Sequence, residues 1–366
     1  MLFPTSIYFI YIALGSLLFK TSKNLFGYKS SLLTLALLNV LLIFLASPFV
    51  VLFIILEIIL MICLYFLIKN LKFNLNYSWI LILPLIFLSG PVYNLQIFNN
   101  IQDFFSAISY KGTPFKIGAT FIVLKAFIAL REWIKNDKIL IIETLTSLTF
   151  IPSLPAGPIH GCSEWGEENY LKNDEKKANN SLLITSRIFW GLASLMVISP
   201  FINSFVQNDP TNNLELIKGI YLRFISLFFD FSGYSSIAIA SAAIFGITLP
   251  ENFNKPFLAT NIVEFWRRWH MTMSGFIGTY IYKPYVRITN RKRLGIFIAF
   301  CCAGIWHEIS LPFIIWGFGQ GVAMAFTIKT INKPKKFPLV SKIISYVVTF
   351  NIITILSSIA TGYIKL

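Results

Sequence analysis

The stretch FISLFFDFSGYSSIAIASAAIF, residues 224–245, indicates both the fold class and the kind of site to look for. It is long enough to cross a bilayer, which takes about 20 apolar residues in a helix, and Asp230 is its only charged residue. A carboxylate buried in such a run costs at least a few kcal/mol unless it is paired or hydrated. Asp230 is therefore predicted to be functional. The small and hydroxyl residues after it, Ser232 among them, would either pack helices closely or line a wet cavity.

Comparable apolar runs recur along the whole chain. Of 366 residues, 56% are hydrophobic and 13% charged, with a mean hydropathy of +0.70, whereas soluble domains carry about 25% charged residues. The composition predicts an all-α, polytopic membrane protein with about ten transmembrane helices. The predicted spans are 5–19, 31–46, 49–68, 78–92, 116–130, 181–206, 219–248, 294–308, 311–328 and 343–364.

The net charge of +15 fits a membrane topology better than nucleic-acid binding. Most Lys and Arg residues fall in short loops between apolar runs, where the positive-inside rule accounts for them. That rule places the first loop and the segment from Lys329 to Lys342 in the cytosol, with the N-terminus, the C-terminus and residues 207–215 outside. The first run lacks a basic leader and a cleavage site, so it is predicted to be a retained helix and not a signal peptide. The chain is thus expected to be a multi-pass protein of the cell membrane.

The chain is interpreted as one membrane domain, 1–366, because no soluble domain or repeat interrupts the runs. Residues 1–135 read as an N-terminal helical scaffold. The segment TFIPSLPAGPIHG, 149–161, has too many helix breakers for a continuous helix, which favours a re-entrant or interfacial turn beside a cavity; an exposed loop remains the alternative. The four cysteines show neither a CxxC pair nor metal-ligand spacing, so no disulfide framework and no metal site is predicted.

The segment FWRRWHMTMSGF, 265–276, concentrates Trp, Arg and His in a strongly hydrophobic chain. Asn261 precedes Glu264 by three residues, as in a capping box. In a helix that begins there, Trp266 and His270 lie one turn apart on one face. The simpler alternative is an interfacial anchor, with Trp at the headgroups and Arg267 and Arg268 on lipid phosphates.

A second Trp-His pair, Trp306 and His307, interrupts an apolar segment in GIWHEISLPFIIWGFGQG, 304–321. All three histidines of the chain, His160, His270 and His307, lie at breaks in membrane segments. A neutral imidazole suits proton abstraction from a hydroxyl near neutral pH. The pair of His270 and His307 could therefore activate an acceptor and orient an acyl donor.

Four motifs, DFSGYS (230–235), LPENFNKPF (249–257), EFWRRWHMTMS (264–274) and GIWHEISLPFIIWG (304–317), resemble in that order the bacterial membrane-bound O-acyltransferases. The similarity is to the branch with the alginate O-acetylation protein and the teichoic acid D-alanyl transferase. It is dense over 219–321, the expected catalytic core. The resemblance implies helices around a central tunnel that meets a cytosolic acyl donor on one side and an outward-facing acceptor on the other.

By this resemblance, the catalytic histidine falls on His307 and the second histidine on His270, with Asp230 as a supporting acid. Expected supporting or substrate-binding residues also include Ser232, Tyr234, Trp266, Arg267, Arg268, Trp306 and Glu308. Two departures stand out: Glu308 replaces the usual glycine after the histidine, and GFIGTYIY lacks the Arg-Asp pair that follows the MTMS stretch in relatives. The first places a carboxylate beside the proposed base, and the second leaves acceptor and partner specificity open.

The function expected from the resemblance is transfer of an acyl group, with acetyl as the leading candidate, to a hydroxyl of an envelope polysaccharide or glycan. The co-substrate would be an acyl thioester, either acyl-CoA or an acyl-carrier protein, with no bound cofactor. Expected partners are the bilayer and a secreted or membrane-anchored acyltransferase-like or esterase-like protein, but no nucleic acid. Two alternatives remain: a lipid or protein acceptor in the same fold, or a transporter with a His/Asp proton relay.

Overall fold

The computed structural model of the protein describes residues 6–71, 115–177, 181–330 and 338–364. Every regular element in these ranges is helical, which confirms the predicted all-α class. The α-helices are α1 (Ser6–Phe26), α2 (Tyr28–Ala46), α3 (Pro48–Asn70), α4 (Phe115–Asn136), α5 (Ile141–Thr149), α6 (Glu167–Lys177), α7 (Ser181–Leu192), α8 (Ser199–Asn203), α9 (Asn213–Ile244), α10 (Ile262–Trp266), α11 (Met271–Ile277), α12 (Lys283–Thr289), α13 (Lys292–His307), α14 (Leu311–Thr330) and α15 (Pro338–Ala360). Wider π-helical turns, Ala193–Ile198 and Gly278–Tyr282, join α7 to α8 and α11 to α12.

Within the described ranges, six helical segments are long and apolar enough to cross a membrane by length and composition. They are Tyr28–Ala46, Val50–Asn70, Ser181–Asn203, Asn213–Ile244, Leu311–Lys329 and Leu339–Ala360. The predicted runs 5–19, 116–130 and 294–308 form α1, α4 and α13, which are not among these six. The predicted run 78–92 lies outside the described residues.

Large apolar side chains face outward along α1, α2 and α14. Leu17 is 59% exposed, Leu41 54% and Phe326 67%. Contiguous exposed apolar surface of this extent is unfavourable in water, whereas lipid solvates it, and a helix satisfies its backbone polar groups internally. The outer surface of these helices is therefore that of a multi-pass membrane protein.

The described residues divide into two compact units. Those within 6–71, 115–192 and 234–250 form unit 1, and those within 193–233 and 251–364 form unit 2. Helix α9 therefore contributes its first part, including Asp230, to unit 2 and its last part to unit 1.

Unit 1 is held together by buried hydrogen bonds as well as by apolar packing. Tyr11 donates its hydroxyl hydrogen to Oδ1 of the buried Asn39, at 2.6 Å, which joins α1 to α2. Trp133 of α4 donates to Thr144 of α5 at 3.0 Å. Burying a polar group without a partner is costly, so these bonds help to define how the helices of this unit pair.

The Pro-rich segment 149–161 belongs to unit 1 and is not a continuous helix, as predicted. Helix α5 ends at Thr149, and a single 3₁₀ turn, Ile151–Ser153, follows. The segment is buried except at residues 154–156, which are partly buried. The alternative of an exposed loop is therefore wrong, because neighbouring helices cover this backbone.

Unit 2 is built around the antiparallel pair α13 and α14. The two helices approach closely because glycines face each other: a Cβ on Gly304 would lie 2.5 Å from the Phe313 carbonyl oxygen, and one on Gly317 would lie 2.6 Å from the Phe300 carbonyl oxygen. Small residues allow such close packing of membrane helices. An aromatic cluster on the neighbouring elements stacks Trp269 on Phe224, with ring centroids 5.0 Å apart.

Candidate active site

The predicted cap at Asn261 is present. Its Oδ1 accepts a hydrogen bond from the Glu264 backbone N–H at 2.9 Å, and α10 begins at the next residue. The Glu264 carboxylate accepts from the backbone N–H and the hydroxyl of Thr260, at 2.8 and 2.9 Å, and pairs with Arg268 at 2.7 Å. The Thr260 backbone donor, followed by the Thr260 hydroxyl and Arg268, lowers the pKa of Glu264.

The predicted continuous helix through Trp266 and His270 is wrong. Helix α10 ends at Trp266, and His270 adopts a left-handed conformation, with φ 42° and ψ 55°, before α11 begins at Met271. A non-glycine residue in this region is strained and persists only where its surroundings impose it. His270 is therefore aimed by a break in the backbone and not by helical periodicity.

Asn252 holds this break in place. Its carbonyl oxygen accepts from the Met271 N–H at 2.9 Å, and its Oδ1 accepts from the Thr272 hydroxyl at 2.6 Å. Nearby, the Asn254 N–H donates to the Arg268 carbonyl at 2.9 Å. Because Asn252 is fully buried, these bonds compete with little water, and they stabilise the conformation that presents His270.

His307 is the last residue of α13, where the helix ends at an extended Glu308. Aromatic rings surround its imidazole: Phe313 stacks on it at 5.4 Å between centroids, and Trp316 meets it edge-on at 5.4 Å. Both rings come from α14. The close α13–α14 pairing therefore positions the walls around His307.

His270 and His307 line the same cavity. This His cavity, of about 160 Å³, is lined by both histidines and by Phe231, Trp266, Phe313 and Trp316, with other mostly apolar side chains. His270 is only 6% exposed and meets the Phe231 ring edge-on at 4.7 Å, whereas His307 is exposed. The predicted pair, together with Trp266, is thus brought to one apolar chamber with two imidazoles as its titratable groups among the described residues.

Two further cavities adjoin the His cavity within unit 2. The Arg cavity, of about 310 Å³, is lined by Arg267, Tyr282, Met324 and Ile328 with other apolar residues. It shares four wall residues with the His cavity, namely Trp266, Ser274, Ile277 and Phe300. An apolar passage with one guanidinium thus borders the two histidines.

The Asp cavity, of about 270 Å³, borders the other walls of the His cavity. Its polar lining includes Arg223, Asp230 and the hydroxyl residues Ser199, Ser226, Ser357 and Thr361. The residues that it shares with the His cavity are Phe224, Leu227, Ser357 and Thr361. The expected burial of Asp230 is wrong: the residue is exposed, because α9 turns it toward this cavity, where water can solvate the carboxylate.

The remaining predicted residues lie elsewhere in the two units. Ser232 and Trp306 are buried, and Arg268 is engaged by Glu264. Tyr234 belongs to unit 1, where its hydroxyl donates to the Pro152 carbonyl at 2.9 Å. Glu308 is exposed; its backbone N–H donates to the Gly304 carbonyl at 3.2 Å, but its carboxylate, as far as the described residues extend, makes neither a hydrogen bond nor an ion pair.

His160 lies in a buried polar network of unit 1. Its Nε2 is 3.1 Å from the Ser153 hydroxyl, which also accepts from the Lys125 ammonium at 2.8 Å. Trp165 donates to its Nδ1 at 3.3 Å. The three histidines therefore have different settings: two on a cavity of unit 2 and one inside the polar core of unit 1.

The sequence did not predict several residues of the site. Phe313, Trp316 and Asn252 bear on the two histidines through tertiary contacts, and Gln320, fully buried on α14, accepts the Trp266 indole N–H at 3.1 Å. Only the recurrence of aromatic residues after His307 could have suggested Phe313 and Trp316. In the described part of the chain, no group of three His, Cys, Asp or Glu side chains could hold a metal ion, and the four cysteines are free.

Known proteins are similar to this chain in the region that contains the His cavity. The profile of the membrane-bound O-acyltransferase (MBOAT) family matches residues 141–364. A peptidoglycan O-acetyltransferase of Helicobacter pylori is 33% identical over 219 residues, which are 57% of this chain and 41% of that protein. A teichoic acid D-alanyltransferase of Bacillus subtilis is 31% identical over 268 residues, 67% of each chain. A protein described as a probable alginate O-acetylase of Pseudomonas aeruginosa is 33% identical over 153 residues, 41% of this chain and 29% of that protein.

The matched region contains both cavity histidines and the strained turn that positions His270. It also contains the glycine-packed pair α13 and α14, of which α13 ends at His307. Since the family profile covers more than half of the chain, this protein belongs to the membrane-bound O-acyltransferase family.

Proposed function

We propose that this protein transfers an acyl group, in the first instance acetyl, from a thioester to a hydroxyl group of a cell-envelope glycan. The observation that carries the proposal is the single cavity lined by both His270 and His307. The relatives support the acceptor class, because their names refer to peptidoglycan, teichoic acid and alginate. Two of the three are named as O-acetylating proteins, which favours acetyl over D-alanyl.

In the proposed reaction, His307 is the general base. A ring nitrogen of His307 takes the proton of the acceptor hydroxyl while that oxygen attacks the thioester carbonyl carbon. The tetrahedral intermediate collapses, the carbon–sulfur bond breaks, and the proton passes from His307 to the departing thiolate. The products are an ester and a free thiol. His270 orients the reactants or stabilises the oxyanion, and the apolar walls strengthen that interaction by excluding water.

The Arg cavity supports a route of entry for the donor. The Arg cavity is apolar apart from a guanidinium and an occasional hydroxyl, which suits a thioester arm that carries an anionic group. Ile328 in its wall precedes Lys329, which the positive-inside rule places in the cytosol. The donor, acyl-CoA or an acyl-carrier protein, is therefore proposed to enter through the Arg cavity, and both chain termini are proposed to face outward.

A cell-membrane location and a secreted or membrane-anchored partner remain part of this proposal. An envelope glycan lies outside the membrane, so the acylated product must be released or passed on there. A reporter fused to the C-terminus, active only when exported, tests the orientation. Activity of a C-terminal reporter that works only in the cytosol would contradict this orientation.

The decisive experiment replaces His307 with Ala in purified protein reconstituted into proteoliposomes. We expect acyl transfer from an acetyl thioester to fall by about 10² to 10⁴-fold, the usual contribution of general-base catalysis, while the protein still elutes as a folded species. Ser310→Ala, in the turn that follows, is the matched control and should retain full turnover. Unchanged transfer in His307→Ala would remove His307 from the role of base.

The same proteoliposomes distinguish an enzyme from a transporter with a proton relay. The transporter alternative predicts flux of protons or solute that depends on Asp230 and the histidines, without acyl transfer. We expect acyl transfer without such flux. Flux in the absence of any acylated product would favour the transporter.

A further inference from the structure

The Asp cavity differs in chemistry from the other two cavities of unit 2. The His and Arg cavities are walled mainly by aromatic and aliphatic side chains, whereas the Asp cavity is walled by a carboxylate, a guanidinium and several hydroxyl groups. A polar cavity in a chain of 56% hydrophobic residues is costly unless it is filled by water or a polar ligand. The proposed reaction assigns no role to it.

Asp230 supplies an open hydrogen-bond acceptor to this cavity. Its carboxylate is exposed, and among the described residues it has neither a hydrogen bond nor an ion pair. An ionised carboxylate offers about four acceptor positions on two oxygens. It can therefore accept from two neighbouring hydroxyl groups of one ligand.

Arg223 supplies hydrogen-bond donors, which complement the Asp230 acceptor, and neighbouring side chains hold it in place. One Nη2 hydrogen bond goes to Asn208 Oδ1 at 2.8 Å, and the guanidinium lies over the Tyr363 ring at 4.3 Å. Tyr363 is itself fixed by a hydrogen bond to the Gln207 carbonyl at 3.0 Å. The Nε of Arg223 is buried without a hydrogen-bond partner in the described structure. A rigid fork with donors to spare thus accompanies the open carboxylate.

This pairing favours an uncharged, polyhydroxylated ligand. A phosphate or a sugar acid would meet the unpaired Asp230, and an ammonium group would meet Arg223, so either charge is opposed by one of the two. A neutral sugar ring both donates and accepts hydrogen bonds, and it can use the carboxylate, the guanidinium and the serine hydroxyls together.

The position of the Asp cavity connects it to the reaction. Phe224, Leu227, Ser357 and Thr361 are common walls of the Asp and His cavities, so a ligand in the Asp cavity lies next to the cavity that contains His307. Asn203 in its wall ends α8, and Asn208, the partner of Arg223, lies in the segment that charge distribution places outside. The cavity therefore lies on the side expected for an external acceptor.

We propose that the Asp cavity is the acceptor subsite, and that it binds an uncharged sugar ring through two hydroxyl groups held by Asp230. The role of this cavity as an acceptor subsite rests on the proposed acyl transfer. Binding itself can be measured without the thioester, so the two proposals can fail separately.

The experiment titrates detergent-purified protein with a tetrasaccharide of β-1,4-linked N-acetylglucosamine by calorimetry, without donor. We expect saturable binding to the wild type and to His307→Ala, and a Kd at least tenfold higher for Asp230→Asn, equivalent to about 1.4 kcal/mol. Asp209→Asn, which removes one carboxylate from the outer segment without touching the cavity lining, is the matched control and should bind as the wild type does.

Parallel titrations use polyglycerol phosphate and oligomannuronate as anionic probes, both of which should bind more weakly than the neutral tetrasaccharide. An equal Kd for Asp230→Asn and the wild type, or tighter binding of an anionic probe, would overturn the proposal. Loss of the folded protein in Asp230→Asn would also overturn it, because the carboxylate would then serve the protein and not a ligand. If binding behaves as expected but no acylated product forms with donor present, the acyl-transfer proposal fails and the sugar site stands.

Discussion

Replacing Gly304 with Ala should impair the active site through the helix pair that carries it. Gly304 lies one turn before His307 on α13 and faces α14. A Cβ at this position would lie 2.5 Å from the Phe313 carbonyl oxygen and 3.1 Å from the Gly317 Cα. Both are backbone atoms, so no rotation of a side chain can relieve the contact.

The size of the effect follows from this geometry. Close carbon–oxygen contacts between helices settle at about 3.3–3.6 Å, so the Phe313 backbone must retreat by about 1 Å. Because the Phe313 ring stacks on the His307 imidazole, the same movement displaces a wall of the His cavity. Overpacking typically costs about 1–3 kcal/mol in stability, and a misplacement of about 1 Å at a reacting group can cost about 10²-fold in rate.

The assay compares single-turnover acyl transfer in proteoliposomes with thermal unfolding in detergent. For Gly304→Ala we expect a rate about 10²-fold lower than wild type, a lower unfolding temperature, and protein that remains folded at the assay temperature. Gly275→Ala on α11 is the matched control, because its new Cβ would have no heavy atom within 4 Å. Wild-type rate and unfolding temperature in Gly304→Ala would refute the reasoning, since the α13–α14 contact would then have room for the added methyl group.

Three other substitutions test local interactions through the free energy of unfolding. Glu264→Gln should lower the free energy of unfolding at neutral pH. The difference in this free energy from wild type should shrink as the pH falls below about 4.5, since a carboxyl with a lowered pKa stabilises the fold only while it is ionised. A difference of unchanged size in acid would contradict this. Glu132→Gln should cost about 1.5–3 kcal/mol, because its carboxylate accepts the backbone N–H groups of residues 162 and 163 at 2.8 and 2.9 Å; an unchanged denaturation midpoint would show that these bonds contribute little. Trp266→Phe should cost about 1–3 kcal/mol by leaving the buried Gln320 carbonyl unpaired, and adding Gln320→Leu should recover part of that loss; strictly additive losses in the double variant would contradict the pairing.

Local patterns in the chain predicted its local structure well. The apolar runs predicted helices, and the cap at Asn261 is present as expected, because a cap depends on residues three positions apart. The proline-rich segment 149–161 breaks the helix as predicted, since proline cannot supply the N–H that a helix needs. The order of four motifs was sufficient to predict the family.

Predictions about where side chains point were less successful. Helical periodicity placed Trp266 and His270 on one face, but α10 ends between them, because Asn252 offers the backbone of Met271 a hydrogen bond outside a helix. Asp230 was expected to be buried and is exposed, because the elements around it leave a polar cavity. Both outcomes depend on partners from other parts of the chain.

The sequence by itself determined that this is an all-helical, multi-pass membrane protein of the MBOAT family with two candidate histidines, because hydropathy, caps and ordered motifs are properties of short segments. Only the tertiary structure decided that His270 and His307 share one cavity, and that an apolar and a polar cavity flank it. The physical reason is that a cavity is the space left between packed helices. Its shape depends on contacts such as Gly304 against Phe313, which no single stretch of sequence contains.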